Sequence, residues 1–174
     1  NRVAVYKNKK TEEPLAVLAK ELVPNVLDEL VIDEASIKVN RHMRLLEIAE
    51  DGSRVRLWLG AAKDIAKDVL WHPKALKKSV IEAVGPVPGT SMSEARNEEL
   101  VKSVLLPCWD IYSQWQSDAI QHLIKEEQYA VVFSHLHNVD ACGHLFWYLS
   151  KDRPSIGNHG ALYEEAIEWA YRCT

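Results

Sequence analysis

Apolar residues in this chain follow two periodicities, which predict strands in one stretch and helices in others. Between residues 36 and 59 apolar and polar positions alternate, as they do in half-buried strands. Asp51-Gly52 lies within this stretch and supplies the positive φ of a tight turn, so the pattern predicts a β-hairpin. Apolar residues recur every three or four positions, which predicts helices, over residues 14–22, 61–70, 73–84, 98–127 and 162–171.

A run of consecutive apolar residues, Ala130 to Phe133, follows the longest helical stretch. Such a run predicts a strand buried on both faces, as in a parallel sheet, and a helix leading into it is half of a βαβ unit. The predicted fold class is therefore α/β. The Pro/Gly cluster at residues 85–89 is the clearest internal boundary, and it divides the chain into regions 1–89 and 90–174.

Composition and charge argue against some classes of function. The 174 residues are 47% hydrophobic and 26% charged, which is typical of a globular protein. A net charge of −4, with no basic cluster interleaved with aromatics, argues against a nucleic-acid-binding face. No apolar run is long enough to predict a membrane segment. The three cysteines show no CxxC spacing, which favours a reducing compartment, and we expect a cytoplasmic location.

Both ends of the sequence suggest a piece of a longer protein. The chain begins at Asn1, and residues 2–6 already have the pattern of a strand. It stops at Thr174 within a segment of helical periodicity, and no Gly, Asn or Pro stop signal precedes that point. We therefore expect a fragment.

Chemistry-bearing side chains are concentrated just after the predicted strand, at His135, His137, Asp140 and His144. Ligand sites in open α/β sheets lie beyond the carboxyl ends of strands, so this cluster is the candidate site. In one interpretation Asp140 only caps a helix that begins near Ala141, and the histidines are ordinary polar groups. Capping does not account for His144, four residues later.

A metal site is the second interpretation. If a helix begins at or just after Asp140, its carboxylate and the His144 imidazole lie one turn apart and can converge on one ion. Both are suitable ligands for zinc or manganese. A metallo-β-lactamase pattern, His-x-His-x-Asp-His, is a poor match, because one residue too many precedes Asp140 and Ala141 follows it.

The hairpin contributes two further candidates, Arg54 and Arg56. They alternate with Val55 and Leu57 and so point to the opposite face of the predicted hairpin. That face is either a solvated surface of an antiparallel sheet or a lid that turns an arginine toward an anionic substrate.

The segment FSHLHNVDACGHLFW resembles the metal-binding stretch of the type I phosphodiesterase/nucleotide pyrophosphatase family, in the alkaline phosphatase superfamily. The family motif Asp-x-x-Gly-His matches Asp140, Gly143 and His144. The resemblance implies that Asp140 and His144 are ligands of one of two catalytic metal ions, with zinc expected and manganese as the alternative. It also implies an alkaline-phosphatase-like parallel sheet, with the hairpin region as an α+β insertion that forms a lid.

The sequence also departs from that family. No Asp is followed by His, and no segment supplies the Thr or Ser nucleophile with its preceding Asp ligand. The resemblance therefore implies part of a two-metal phosphoester hydrolase acting on a small phosphoester or a nucleotide, inactive alone and without a catalytic nucleophile of its own. The roles that remain for His135 and His137 are hydrogen bonding around the metal or packing. The alternative is a non-catalytic interaction domain that uses Trp147 and Tyr148.

Overall fold

The computed structural model describes residues 2–67, 71–90, 97–147 and 160–173, which form a mixed α/β structure with antiparallel sheets. The strands are β1 (Val3–Val5), β2 (Ala16–Leu18), β3 (Val23–Ile32), β4 (Ala35–Ile48), β5 (Val55–Leu59) and β6 (Lys63–Asp64). The helices are α1 (Ala75–Val84), α2 (Glu98–Leu100), a π-helical turn (Val101–Leu105), α3 (Leu106–Lys125), α4 (Asn138–Phe146) and α5 (Gly160–Arg172).

The predicted hairpin is confirmed as β4 and β5, which pair antiparallel with Leu45 opposite Leu57 and Ile48 opposite Val55. Gly52 adopts φ +71° in the connecting turn, a conformation that glycine takes without the strain of a Cβ. Strand β4 also pairs antiparallel with β3 and β6, so it organises the larger sheet.

The helix predicted over residues 14–22 is wrong. Strand β2 lies within this stretch and pairs antiparallel with β1, and β3 begins directly after the stretch, at Val23. Ala16 and Leu18 are both buried while Val17 between them is 47% exposed, so the local period is two. Leu18 of β2 and the flanking Leu15 and Leu22 have spacings that imitate a helical face. Residues 61–67 likewise contain β6 rather than a helix, and the rest of that predicted helix lies outside the described residues.

Helical structure runs from residue 98 to residue 125, as predicted, with a π-helical turn just before Pro107. Proline has no N–H to donate within a helix and its ring crowds the preceding turn, so a locally wider turn accommodates it. The predicted helices at 73–84 and 162–171 are confirmed as α1 and α5. Within the described ranges, no helix combines the length and apolar character needed to cross a bilayer.

Two apolar clusters involve the helices, and one of them also includes a residue of the sheet. The helical core joins α4 and α5 to the start of α3, and in it Phe146 is fully buried and stacks on Tyr163 with ring centroids 5.3 Å apart. On the sheet side, Trp58 of β5 packs in one cluster with Val104 and Cys108. Region 1–89 therefore contacts region 90–174 directly, while their division into insertion and core stays a prediction.

The buried strand predicted at Ala130–Phe133 is wrong. These residues form no strand, and the side chains of Val131 and Phe133 are 68% and 96% exposed. A strand buried on both faces needs neighbouring strands to satisfy its backbone, and all described strand pairs are antiparallel and lie in residues 3–64. The run therefore lies as an exposed, irregular segment between α3 and α4.

A buried histidine lies in the larger sheet. His42 is 1% exposed, and its Nδ1 accepts a hydrogen bond of 3.0 Å from the backbone N–H of Asn25. Burial lowers the pKa of His42, and hydrogen bonding with the backbone of Gly89 offsets part of that effect. The ring is thus held neutral in the folded protein.

We expect the free energy of unfolding to fall as the pH drops below about 6.5, the ordinary pKa of histidine. The folded-state pKa of His42 is lowered, so its contribution is complete above the unfolded-state value and is lost as the unfolded chain takes up a proton. One proton gives a slope of at most about 1.4 kcal/mol per pH unit. Urea unfolding at several pH values checks this. An equal slope in the native protein and in His42→Gln would contradict it.

Candidate metal site

Helix α4 carries the residues of the candidate site and begins earlier than expected. Its first residue is Asn138, and His137 takes the N-cap position without a side-chain cap hydrogen bond. Asp140 therefore lies in the first turn, and the interpretation in which it caps a helix starting near Ala141 is wrong. A carboxylate in the first turn still interacts favourably with the helix dipole.

The Asp140 carboxylate lies between two imidazoles. Its Oδ1 is 3.3 Å from Nε2 of His144, and its Oδ2 is 3.3 Å from Nδ1 of His137. These spacings of four and three residues place all three side chains on one face of α4. The side chains of His137, Asp140 and His144 are 48%, 50% and 82% exposed, so the face is open to solvent.

The Asp140–His144 pair has the chemistry and spacing of two metal ligands. In a tetrahedral site with zinc–ligand bonds of about 2.0 Å, neighbouring ligand atoms are about 3.3 Å apart. The oxygen and nitrogen of this pair are at that separation without rearrangement. Across the described part of the chain, however, no group of three or more His, Cys, Asp or Glu side chains is arranged to hold an ion. The pair fits part of a metal site.

His137 and His135 lie beside this pair. The contact of His137 with the other oxygen of Asp140 orients the carboxylate, as polar neighbours commonly do around protein metal ligands. The His135 ring lies against that of His137, with centroids 4.1 Å apart. Both histidines are exposed, so neither packs in the core, and their hydrogen bonding around a metal stays a prediction.

Gly143 leaves space next to His144. A Cβ placed at Gly143 would meet no described atom within 4 Å. A substrate, or another part of the polypeptide, can therefore approach the helix closely there.

Cys142 lies on the opposite side of α4 and is 1% exposed. Burial, with a smaller contribution from Cys173, raises the pKa of its thiol to about 11. Metal binding by cysteine requires the thiolate, so Cys142 is a core residue rather than a ligand.

Arg54 and Arg56 are engaged with glutamates. Arg54 forms an ion pair with Glu47, and Arg56 contacts Glu47 at 3.6 Å and Glu99 at 3.4 Å. Both arginines are more than half exposed, so these ion pairs contribute little stability. Among the described residues, no ion pair connects either arginine with Asp140 or His144, and their contact with a substrate stays a prediction.

Residues of α3 also contact the segment that leads into the site, and the sequence interpretation missed them. Gln116 donates to the backbone of His135, and Asn138 donates to Ser113. The only local signal is an Asn flanked by candidate ligands, because the partners lie about 20 residues earlier.

Comparison with known proteins found no match for this chain among protein-family models, curated proteins or solved structures.

Proposed function

We propose that this chain supplies one metal-binding half of a phosphodiesterase/nucleotide pyrophosphatase-type hydrolase that cleaves phosphoester bonds with two divalent metal ions. The observation that carries the proposal is the Asp140–His144 pair, whose ligand atoms are 3.3 Å apart on an exposed helix face. The Asp-x-x-Gly-His spacing and the open space at Gly143 support it. Zinc is the metal we expect, with manganese as the alternative.

Each residue of the site has a separate role in this proposal. Asp140 and His144 bind one ion, and His137 holds the carboxylate of Asp140 in position through its second oxygen. The ion that Asp140 and His144 would hold would supply Lewis-acid stabilisation of the phosphoryl oxygens. The Asp140 side chain is half exposed and that of His144 is mostly exposed, which leaves room for a small phosphoester or a nucleotide.

The remaining ligands and the nucleophile would come from polypeptide outside residues 1–174, because no Asp-His pair occurs in this sequence. The parallel sheet of such an enzyme would likewise come from other polypeptide, because the described strands pair antiparallel. Region 1–89 would then be the insertion that covers the site, with Arg54 or Arg56 reaching the phosphoryl oxygens in a cytoplasmic enzyme.

A non-catalytic interaction domain is the second candidate function, and exposed aromatic residues favour it. Phe133, five residues before α4, is 96% exposed, and Trp147, at the C-terminal end of α4, is 61% exposed. Tyr148, the other aromatic expected in such a surface, lies outside the described residues. Metal binding separates the two functions, because a surface of aromatics has no need of Asp140 and His144.

We expect residues 1–174 to bind zinc but not to hydrolyse bis(4-nitrophenyl) phosphate above the rate of free zinc, because the chain holds only part of the site. A longer polypeptide that adds the Asp-His pair should hydrolyse it, and His144→Ala in that polypeptide should lose zinc and activity together. The absorbance of released nitrophenolate measures the hydrolysis, and elemental analysis measures the bound zinc. Full activity and unchanged zinc content in His144→Ala would rule out the proposed role of this site.

A further inference from the structure

A second set of polar contacts lies beneath the candidate metal site, where α3 meets the segment that leads into α4. Gln116 Nε2 donates to the backbone carbonyl of His135 at 2.8 Å and to Oγ of Ser134 at 2.9 Å. Asn138 Nδ2 donates to Oγ of Ser113 at 2.7 Å. Residues 113 and 116 are three positions apart, so one face of α3 holds both ends of the segment.

This segment has little else to hold it. Residues 130–136 form no helix or strand, and the side chains of Val131 and Phe133 lie mostly in solvent. Without the contact from Gln116, the backbone of His135 would have no side-chain tether to α3 in the described structure. Because His135 and His137 precede α4 directly, the tether fixes where the site begins.

The amide of Asn138 is held in one orientation. Ser113 Oγ donates its single proton to the backbone carbonyl of Trp109 at 2.7 Å, so it can only accept a hydrogen bond from Asn138. Within the described residues, Oδ1 of Asn138 is buried without a partner. An apolar side chain would not bury an unsatisfied oxygen there, so Asn138 is a poor choice for stability alone.

Asn138 and Asp140 share the first turn of α4 but face opposite ways. Asn138 is 1% exposed and points toward α3, whereas the Asp140 side chain is half exposed and points toward the imidazoles. A distortion of this first turn relative to the rest of α4 would move the Asp140 carboxylate away from His144, whose own position is set by the following turn. The contact with Ser113 holds the first turn in place from the buried side of the helix.

We propose that Asn138 and Gln116 are positioning residues, which hold the start of α4 so that Asp140 and His144 converge on one ion. This inference rests on the proposed function, because the position of the pair matters only if it binds a metal. Neither residue would touch the metal or the substrate. Gln116 of α3 acts through its hydrogen bond to the backbone of His135, and Asn138 acts through its hydrogen bond to Ser113 of α3.

The test is the zinc affinity of the full chain by isothermal titration, with the thermal unfolding midpoint of the zinc-free protein measured beside it. Asn138→Leu and Gln116→Leu should each bind zinc about tenfold more weakly, the size of effect typical of polar neighbours of metal ligands. The unfolding midpoint shows whether each variant is folded; Asn138→Leu removes the unsatisfied oxygen but adds volume at a buried position, so no gain in the midpoint is expected. Gln121→Leu, at an exposed position of α3, is the matched control and should bind like the native chain.

Two substitutions of Ser113 test the same hydrogen bond from the α3 side. Ser113→Thr keeps the hydroxyl and should retain native affinity, whereas Ser113→Ala removes the acceptor and should weaken zinc binding. Native affinity in both Asn138→Leu and Gln116→Leu, with loss of binding in Asp140→Ala, would overturn the positioning role and leave the proposed function intact. Absence of zinc binding by the native chain would overturn both. If Asn138→Leu fails to fold, Gln116→Leu decides.

Discussion

Replacing Phe146 by alanine should lower the free energy of unfolding by about 3–5 kcal/mol. Phe146 is fully buried at the end of α4 and stacks on Tyr163 of α5. Alanine would remove the whole ring and leave a cavity between two helices whose cores are already closely packed. The loss should be visible as a lower midpoint of urea unfolding with an unchanged dependence on urea concentration.

The chain offers a matched control for this substitution. Phe133 is the other phenylalanine, and it is 96% exposed. Phe133→Ala should change the free energy of unfolding by less than about 0.5 kcal/mol, as is usual for exposed positions. Equal effects of the two substitutions would contradict the packing of α4 on α5, because that packing makes only Phe146 a core residue.

Replacing Asp140 by asparagine should weaken zinc binding at least about 100-fold, more than the loss of a polar neighbour of a ligand does. Asparagine keeps the size of the side chain but removes the negative charge that faces His144. Since the Asp140 side chain is half exposed, the fold should remain intact. Asp110→Asn, at an exposed position of α3, is the control and should bind zinc like the native chain.

Local signals predicted the parts of the fold that depend on local chemistry. The Asp51-Gly52 pair and the alternation around it predicted the hairpin of β4 and β5, because a tight turn determines the register of both strands. The apolar stripe and Pro107 predicted the long helical run. In each case the information lies within a few residues of the element that it describes.

Predictions that depended on distant neighbours were wrong. The apolar run at Ala130–Phe133 has the composition of a buried strand, but no described strand lies beside it to complete a sheet. Leu15, Leu18 and Leu22 have helical spacing, yet Leu18 is buried in β2 against Met43 and Leu45 of β4. In such short segments, tertiary contacts override the helix or strand propensity of the residues.

For the candidate site too, the sequence predicted a contact between near neighbours but not the contacts between distant residues. The contact between Asp140 and His144 follows from their spacing of four residues, and the structure places their ligand atoms 3.3 Å apart. The contacts of Ser113 with Asn138 and of Gln116 with His135 join residues 25 and 19 positions apart. No local pattern encodes them, because they depend on how α3 packs beneath the site.

The measurement that tests the metal site most directly is a zinc titration followed by NMR of the imidazole side chains. The chain has seven histidines, and the signals of His144 should shift first, at zinc concentrations that leave His42 unaffected. In Asp140→Asn the His144 signals should move only at much higher zinc concentrations. Identical His144 titrations in the native chain and in Asp140→Asn would contradict a site in which these two residues bind one ion.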